Sequence, residues 1–261
     1  MPQFRYIRPD WYAANSERDK EVEFLLTELF YRLGRKRKVS LLDVGFAGSG
    51  YIEQILTLKN IYRRPWITYT GLDSSAVRIS GDGLRMAKSG RVKWRSVLSR
   101  INSIEADIVS YTSSVTYDVV ISISVIEHIV SNEYDSRYVF DLYRDIRAVN
   151  QMKKLVKKGG FLILTFPCGD ERILSPQESL VEKLKGTPLE GKYVKHRHTL
   201  LVYNRARIDK IKGNWPVVAE RYWVDTGRGF TSASKNTALK VKHSTADKDV
   251  KSLCTLMLRK A

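Results

Sequence analysis

Between Glu17 and Leu33 the apolar residues Val22, Leu25, Leu26, Leu29, Phe30 and Leu33 recur three and four positions apart. That period predicts an amphipathic helix with one buried stripe. Gly34 and the cationic run Arg35-Lys36-Arg37-Lys38 follow, a solvated turn at the negative helix end that also has the form of a phosphate patch or a nuclear signal. The pattern then shortens. Val39 to Val44 is an apolar run closed by Gly45-Phe46-Ala47-Gly48-Ser49-Gly50, and Tyr51 to Leu58 returns to helical spacing, so a strand, a tight loop and a helix are predicted in that order.

The alternation continues. Ile67 to Leu72 predicts a second strand closed by Asp73, and Ser74 to Lys88 a helix weakened by Gly81 and Gly83. Ile104 to Ile108 reads as a third, weak strand. Tyr117 to Ser124 (YDVVISIS) is a fourth whose unbroken β-branched content suits burial on both faces, as in a parallel sheet covered by helices. A long helix is expected from Ser136 to Val156, ending at Lys157-Lys158-Gly159-Gly160, with cations at the helix end and a glycine cap. Phe161 to Phe166 is the fifth strand, Asn204 to Ile211 a short helix, and Val217 to Val224 and Ser252 to Leu258 two late strands. The polar segment between those last strands, Asp225 to Lys251, offers no helix strong enough to enforce a parallel crossover, so the last strand is expected to run antiparallel. The 261 residues suit one α/β domain.

Composition alters this picture in three ways. No apolar run is long enough to cross a membrane and the first ten residues lack a signal-peptide core, which predicts an intracellular, cytoplasmic protein. The two cysteines, Cys168 and Cys254, stand far apart and match no metal spacing, so they read as reduced, buried thiols and no metal is expected. The net charge is +17, and it is uneven: Gln151 to Ala261 holds 23 basic against 10 acidic residues, a net of +13, while Leu41 to Asn150 holds 13 against 12. A basic second half suits an anionic acceptor or nucleic acid, and equally a surface charged for solubility.

Chemistry enters at the strand ends. Asp43-Val44-Gly45 with Ala47, Gly48 and Gly50 forms a small-residue loop that lets backbone approach a ligand, and it fits the degenerate fingerprint G-x-A-x-x-G. Asp73, 23 residues after Gly50 at the tip of the second strand, is placed to accept both hydrogen bonds of a ribose diol. Nicotinamide dinucleotides and S-adenosylmethionine both carry an adenine ribose. Asp43 separates them, because a pyrophosphate gains nothing from a nearby carboxylate while a cofactor with a sulfonium and an α-amino group does.

Taken in order, LLDVGFAGSG, TGLDSS, EADI, YDVVISISVIEH and VKKGGFLILTFP resemble five landmarks of the class I S-adenosylmethionine-dependent methyltransferases, over roughly Val39 to Phe166. The resemblance implies a Rossmann-like sheet of seven mostly parallel strands with an antiparallel last strand and helices on both faces. It also implies S-adenosyl-L-methionine as cofactor, held by Asp43, Gly45, Ala47, Gly48, Gly50, Asp73, Ser74, Asp107, Ile108, Ser124 and Val125, with Asp107 and Ile108 at the adenine. The chain then divides into a helical cap (1–38), a cofactor-binding half (39–166) and an acceptor-side half (167–261). Phe46 and Ala47 depart from the family's small residues and are expected to narrow the loop. More loosely, the SVIEH pentad, the Pro-Cys-Gly loop and the later basic segment resemble methyltransferases of sugar and polysaccharide pathways.

Absent motifs restrict the acceptor. Ser124-Val125-Ile126-Glu127-His128 stands where base N-methyltransferases carry Asn/Asp-Pro-Pro-Tyr, and Cys168 follows the fifth strand instead of the fourth, against a cytosine C5 nucleophile. His128, after the fourth strand, is the candidate base, and with Glu127 it also suits a brace for the next helix. His196 and His198 sit where this fold builds acceptor contacts, or in a solvated loop, and Trp11 and Tyr12 fold over the cofactor or pack on the core. The leading expectation is O-methylation of a small or glycan-type acceptor. An RNA methyltransferase, a degenerate methyltransferase fold kept as a nucleic-acid or partner-binding module, and a dehydrogenase are the alternatives.

Overall fold

The computed structural model describes residues 16–33, 38–47, 51, 52, 55, 66–75, 101–131, 140–196, 199–244 and 250–261. The amphipathic segment folds as α1 (Glu17–Leu33) with its predicted stripe inward: Val22, Leu25, Leu26, Leu29 and Leu33 are all buried. The strands expected in the first half follow as β1 (Lys38–Val44), β2 (Trp66–Asp73), β3 (Asn102–Glu105) and β4 (Tyr117–Ile123). Then come α2 (Arg144–Leu155) and β5 (Val156–Pro167). After the loop, Ile52 and Ile55 are helical and the amide of Ile55 donates to the carbonyl of Tyr51 at 3.0 Å, so the strand, loop and helix occur in the expected order.

The second half holds β6 (Arg172–Ser175), α3 (Leu180–Leu184), β7 (Tyr193–Lys195), β8 (Leu200–Val202) and α4 (Arg205–Lys212). It ends with β9 (Val217–Asp225), β10 (Phe230–Ala233), α5 (Lys235–Ala238) and β11 (Ser252–Arg259). The large sheet runs β10-β9-β11-β5-β4-β1-β2-β3. Strands β3, β2, β1, β4 and β5 pair in parallel, while β11 runs antiparallel to both β5 and β9. The antiparallel last strand is therefore as the sequence predicts. Alternate residues of the central strands supply two cores. Leu42, Val120, Leu162 and Leu164 pack with Ala148 and Met152 of α2 and Ile208 of α4, and Leu41, Val119, Ile121 and Ile163 pack beneath α1. Helices cover both faces.

Five expectations need correction. The sheet has eight strands, because β10 forms inside the polar Asp225–Lys251 segment and pairs antiparallel with β9. A second, three-stranded sheet, β7-β6-β8, follows β5; its strands are three or four residues long, too short to show a period. The third strand ends at Glu105, and Asp107 turns the chain by accepting the Val109 amide at 3.0 Å on its side chain. In place of a helix from 136, residues 140–143 are irregular, with Phe140 bridged to Ser131 and Asp141 accepting the Tyr143 amide; 132–139 lie outside the described residues. Finally, α2 passes directly into β5 at Val156 without a glycine cap, and the cation at its end is Lys260, whose Nζ donates to the carbonyls of Lys153, Lys154 and Val156. Most of the expected 74–88 helix, the 35–37 run and Trp11 and Tyr12 lie outside the described residues.

Candidate functional site

In the order β5-β4-β1-β2-β3 the crossovers run one way from β1 to β3 and the other way from β4 to β5, so the crevice between the carboxyl ends of β1 and β4 is the switch point where this class of sheet receives ligands. The loops after β1, β2, β3 and β4 meet there, and they carry the residues expected to bind a cofactor.

After β1 the chain turns at Gly45, whose φ of 79° is costly for any side chain, and its amide donates to the Leu72 carbonyl at 2.7 Å. A Cβ at Gly45 would come within 2.4 Å of Val125. Glycine here thus lets the β1 and β4 loops touch, a reason additional to ligand approach. Phe46 does not project across the loop: it is fully buried in the α1-side core, its ring against Gly71, where an added Cβ would come within 2.4 Å. Buried Ala47 donates its amide to Asp73 Oδ2 at 3.3 Å. Gly48 and Gly50 lie outside the described residues.

Asp43 has no exposed surface and accepts hydrogen bonds from the hydroxyls of Tyr51, at 3.0 and 3.2 Å, and Tyr69. Burial pushes its carboxyl up to about 7, against the opposing pull of both tyrosine hydroxyls. Asp73 lies at the tip of β2, 4 % exposed, with Oδ1 accepting the Ser75 amide at 3.1 Å, and Ser74 is exposed beside it. Asp107 pairs with Arg144 of α2, while Ile108 is buried in the α2-side core.

The turn after β4 holds the densest polar grouping. Ser124, with φ 51°, is the one non-glycine residue of positive φ among the described residues. Its amide donates to Thr165 Oγ1 at 3.0 Å and its hydroxyl to Glu21 of α1. His128 Nδ1 lies 2.7 Å from the Thr199 carbonyl. A carbonyl only accepts, so Nδ1 carries the proton, and Nε2 is the nitrogen able to take one in the neutral ring. The small sheet therefore holds His128: the Leu201 amide also donates to the Glu127 carbonyl at 3.0 Å, and Ser175 and Thr199 share a hydroxyl contact of 2.7 Å. His196 is buried beside this sheet, its amide on the Ser175 carbonyl at 2.9 Å, and His198 lies outside the described residues.

Cys168 and Cys254 are free and buried, and burial pushes the Cys168 thiol up to about 12, which leaves no thiolate for nucleophilic attack. Residues not anticipated at this site are Arg18, Glu21, Thr165 and Thr199. Glu21 follows, with Leu25 and Glu28, a four-then-three spacing along the apolar stripe, and both acids are buried. Among the described residues no helix is long and apolar enough to cross a membrane.

This architecture is the fold of the class I S-adenosylmethionine-dependent methyltransferases. The chain is similar to the glycopeptide N-methyltransferase MtfA (TM-score 0.52, 12 % identity, covering 97 % of this chain and 93 % of that one). It is also similar to the 1,6-didemethyltoxoflavin-N1-methyltransferase of Burkholderia thailandensis (0.51, 11 %, 92 % and 78 %). A further likeness is to an S-adenosylmethionine-dependent methyltransferase of Clostridium acetobutylicum (0.50, 13 %, 93 % and 92 %). A family model described as a Caenorhabditis protein of unknown function, DUF268, matches residues 62–181. No curated protein matches the sequence.

Proposed function

We propose that the chain is an S-adenosylmethionine-dependent methyltransferase acting on a small or glycan-type acceptor through a hydroxyl group. The observation that carries this reading is the meeting, at the switch point of the sheet, of the buried Asp73 carboxylate with the Gly45–Ala47 loop and the Ser124–His128 turn.

The residues present fit such a cofactor. Asp73 presents a carboxylate at the tip of β2 where a ribose diol would lie, held in place by the Ala47 and Ser75 amides. Gly45, Ala47, Ser124 and Val125 would face the methionine portion, and Ser74, Asp107 and Ile108 the adenosine portion. Asp43 would act from beneath, through Tyr51 and Tyr69. When bound, the cofactor supplies a methyl group already activated on its sulfonium. The chain's own task is then to align the acceptor and remove its proton. His128, fixed by the Thr199 carbonyl, is the residue placed for that. The division expected from the sequence would make 1–38 a cap, 39–166 the cofactor-binding half and 167–261 the acceptor side. A glycopeptide and didemethyltoxoflavin, the acceptors for which two similar proteins are named, lend support to a small or glycan-linked acceptor.

Calorimetric titration with S-adenosylhomocysteine tests the reading. Micromolar binding by the wild type, weakened at least about 100-fold in Asp73→Ala, is expected from the loss of two charge-assisted hydrogen bonds. No binding by the wild type would sink it.

A further inference from the structure

Across the carboxyl ends of β4 and β5, α1 lays down a buried polar cluster. Arg18 Nη1 donates to the Ile123 carbonyl at 3.4 Å and pairs with Glu21 Oε2 at 3.0 Å. Glu21 Oε1 accepts from the hydroxyls of Ser124 and Thr165. Glu21 Oε2, although 3.0 Å from Arg18 Nη1, accepts no hydrogen bond. Neither does Oε2 of Glu127, a residue 3 % exposed whose Oε2 is out of contact with water. Its Oε1 lies 4.0 Å from His128 Nε2. Burial raises the Glu127 carboxyl to about 8, with the neighbouring Glu21 carboxylate adding to the rise and Arg18 opposing it.

A buried acceptor without a donor is costly, and such groups in folded proteins have an explanation in function. With one guanidinium to two carboxyls among the described residues, the corner is charge-balanced only while Glu127 keeps its proton, and a further cation is needed for both acids to ionise. The missing donor suits an ammonium better than a guanidinium, because an ammonium is a compact point charge that can serve a single oxygen, whereas a guanidinium fork asks for two in parallel. We propose that Glu127, backed by Glu21, anchors an ammonium group that the methyl acceptor carries beside its reacting hydroxyl, which makes the acceptor an amino alcohol or an amino sugar. The 4.0 Å between Glu127 and His128 suits neighbouring substituents on one carbon frame. This inference rests on the methyltransferase reading above.

The test uses the full chain with isotope-labelled glutamate, the Glu127 carboxyl resonance being assigned by its loss in Glu127→Gln. Its titration midpoint is measured in the S-adenosylhomocysteine-loaded protein with about 0.1 M methylammonium, and with tetramethylammonium at matched ionic strength, because a nearby donor cation lowers a carboxyl pKa. A fall of at least about one pH unit with methylammonium alone is expected. An unchanged midpoint overturns the proposal. So does the same fall on adding S-adenosylhomocysteine by itself, since the ammonium would then be the cofactor's own. A chain that binds no S-adenosylhomocysteine fails the methyltransferase reading, and the methylammonium arm, run on the unloaded protein, still decides for Glu127.

Discussion

Asp43 lies between the hydroxyls of Tyr51 and Tyr69 with no exposed surface, and its carboxyl is raised from an ordinary 3.8 to about 7. The folded state therefore holds a proton that the unfolded state releases near pH 4. As far as this group goes, stability is full below about 4 and is lost as pH rises through about 7, by up to about 1.4 kcal/mol per pH unit. Asp43→Asn removes the titration. Its melting temperature relative to wild type should rise between pH 5 and pH 9, and a constant difference would refute the assignment. Glu127 follows the same direction but is present in both proteins and cancels from the comparison. At this scale the sequence showed Asp43, Asp73 and His128 by their places at strand ends. It did not show the tyrosines around Asp43, because Tyr69 is distant in sequence and meets Asp43 only through parallel pairing of β1 with β2. For His128 the catalytic prediction is kinetic: His128→Gln should lower kcat at least about 100-fold while S-adenosylhomocysteine affinity is unchanged, whereas a mere brace would lose both together.

Between elements, the strongest tie is Arg207 of α4. Asn204 caps that helix by accepting the Arg207 amide at 2.9 Å. The Arg207 guanidinium donates to both oxygens of Asp145 in α2, at 2.7 and 2.9 Å, to Glu171 at 3.4 Å and to the Leu142 carbonyl. Asp145 and Arg207 are buried, so removing one partner strands the other. Arg207→Met should cost about 3–5 kcal/mol in chemical denaturation, and adding Asp145→Leu should restore most of it. If the double variant is no more stable than the single, the pair is not the unit that holds α4 to α2. The sequence predicts both helices, but α2 begins at Arg144, later than expected. Residues 140–143 have a helix-compatible pattern, and the Asp141 side chain takes the Tyr143 amide there instead.

For the molecule as a whole, the net +17 raises the question of nucleic acid. Part of the basic excess of the second half is matched by acids of the first half: Asp145 faces Arg207, Asp118 faces Lys157 and Glu28 faces Arg221. Other cations cap carbonyls, as Lys260 and Lys153 do. Ion pairing leaves the net +17 unchanged, so RNA retention is expected at low salt and should be lost by about 0.15 M, where non-specific phosphate contacts are screened. Retention with a shallow salt slope at that ionic strength would revive the RNA-methyltransferase alternative.

The order of elements through β5, the parallel character of the central sheet, the antiparallel last strand and the acids at strand ends were determined by the sequence alone. Each is written in local periodicity or in a short motif, and burial forces that periodicity to be kept. The second sheet, the eighth strand, the two tyrosines on Asp43 and the Glu21–Glu127 corner were decided only by tertiary structure. Their strands are too short to carry a period, and their partners, Glu21 with Thr165 or His128 with Thr199, stand 144 and 71 residues apart. An acid on a helix reads as solvated until the fold lays it across the ends of central strands.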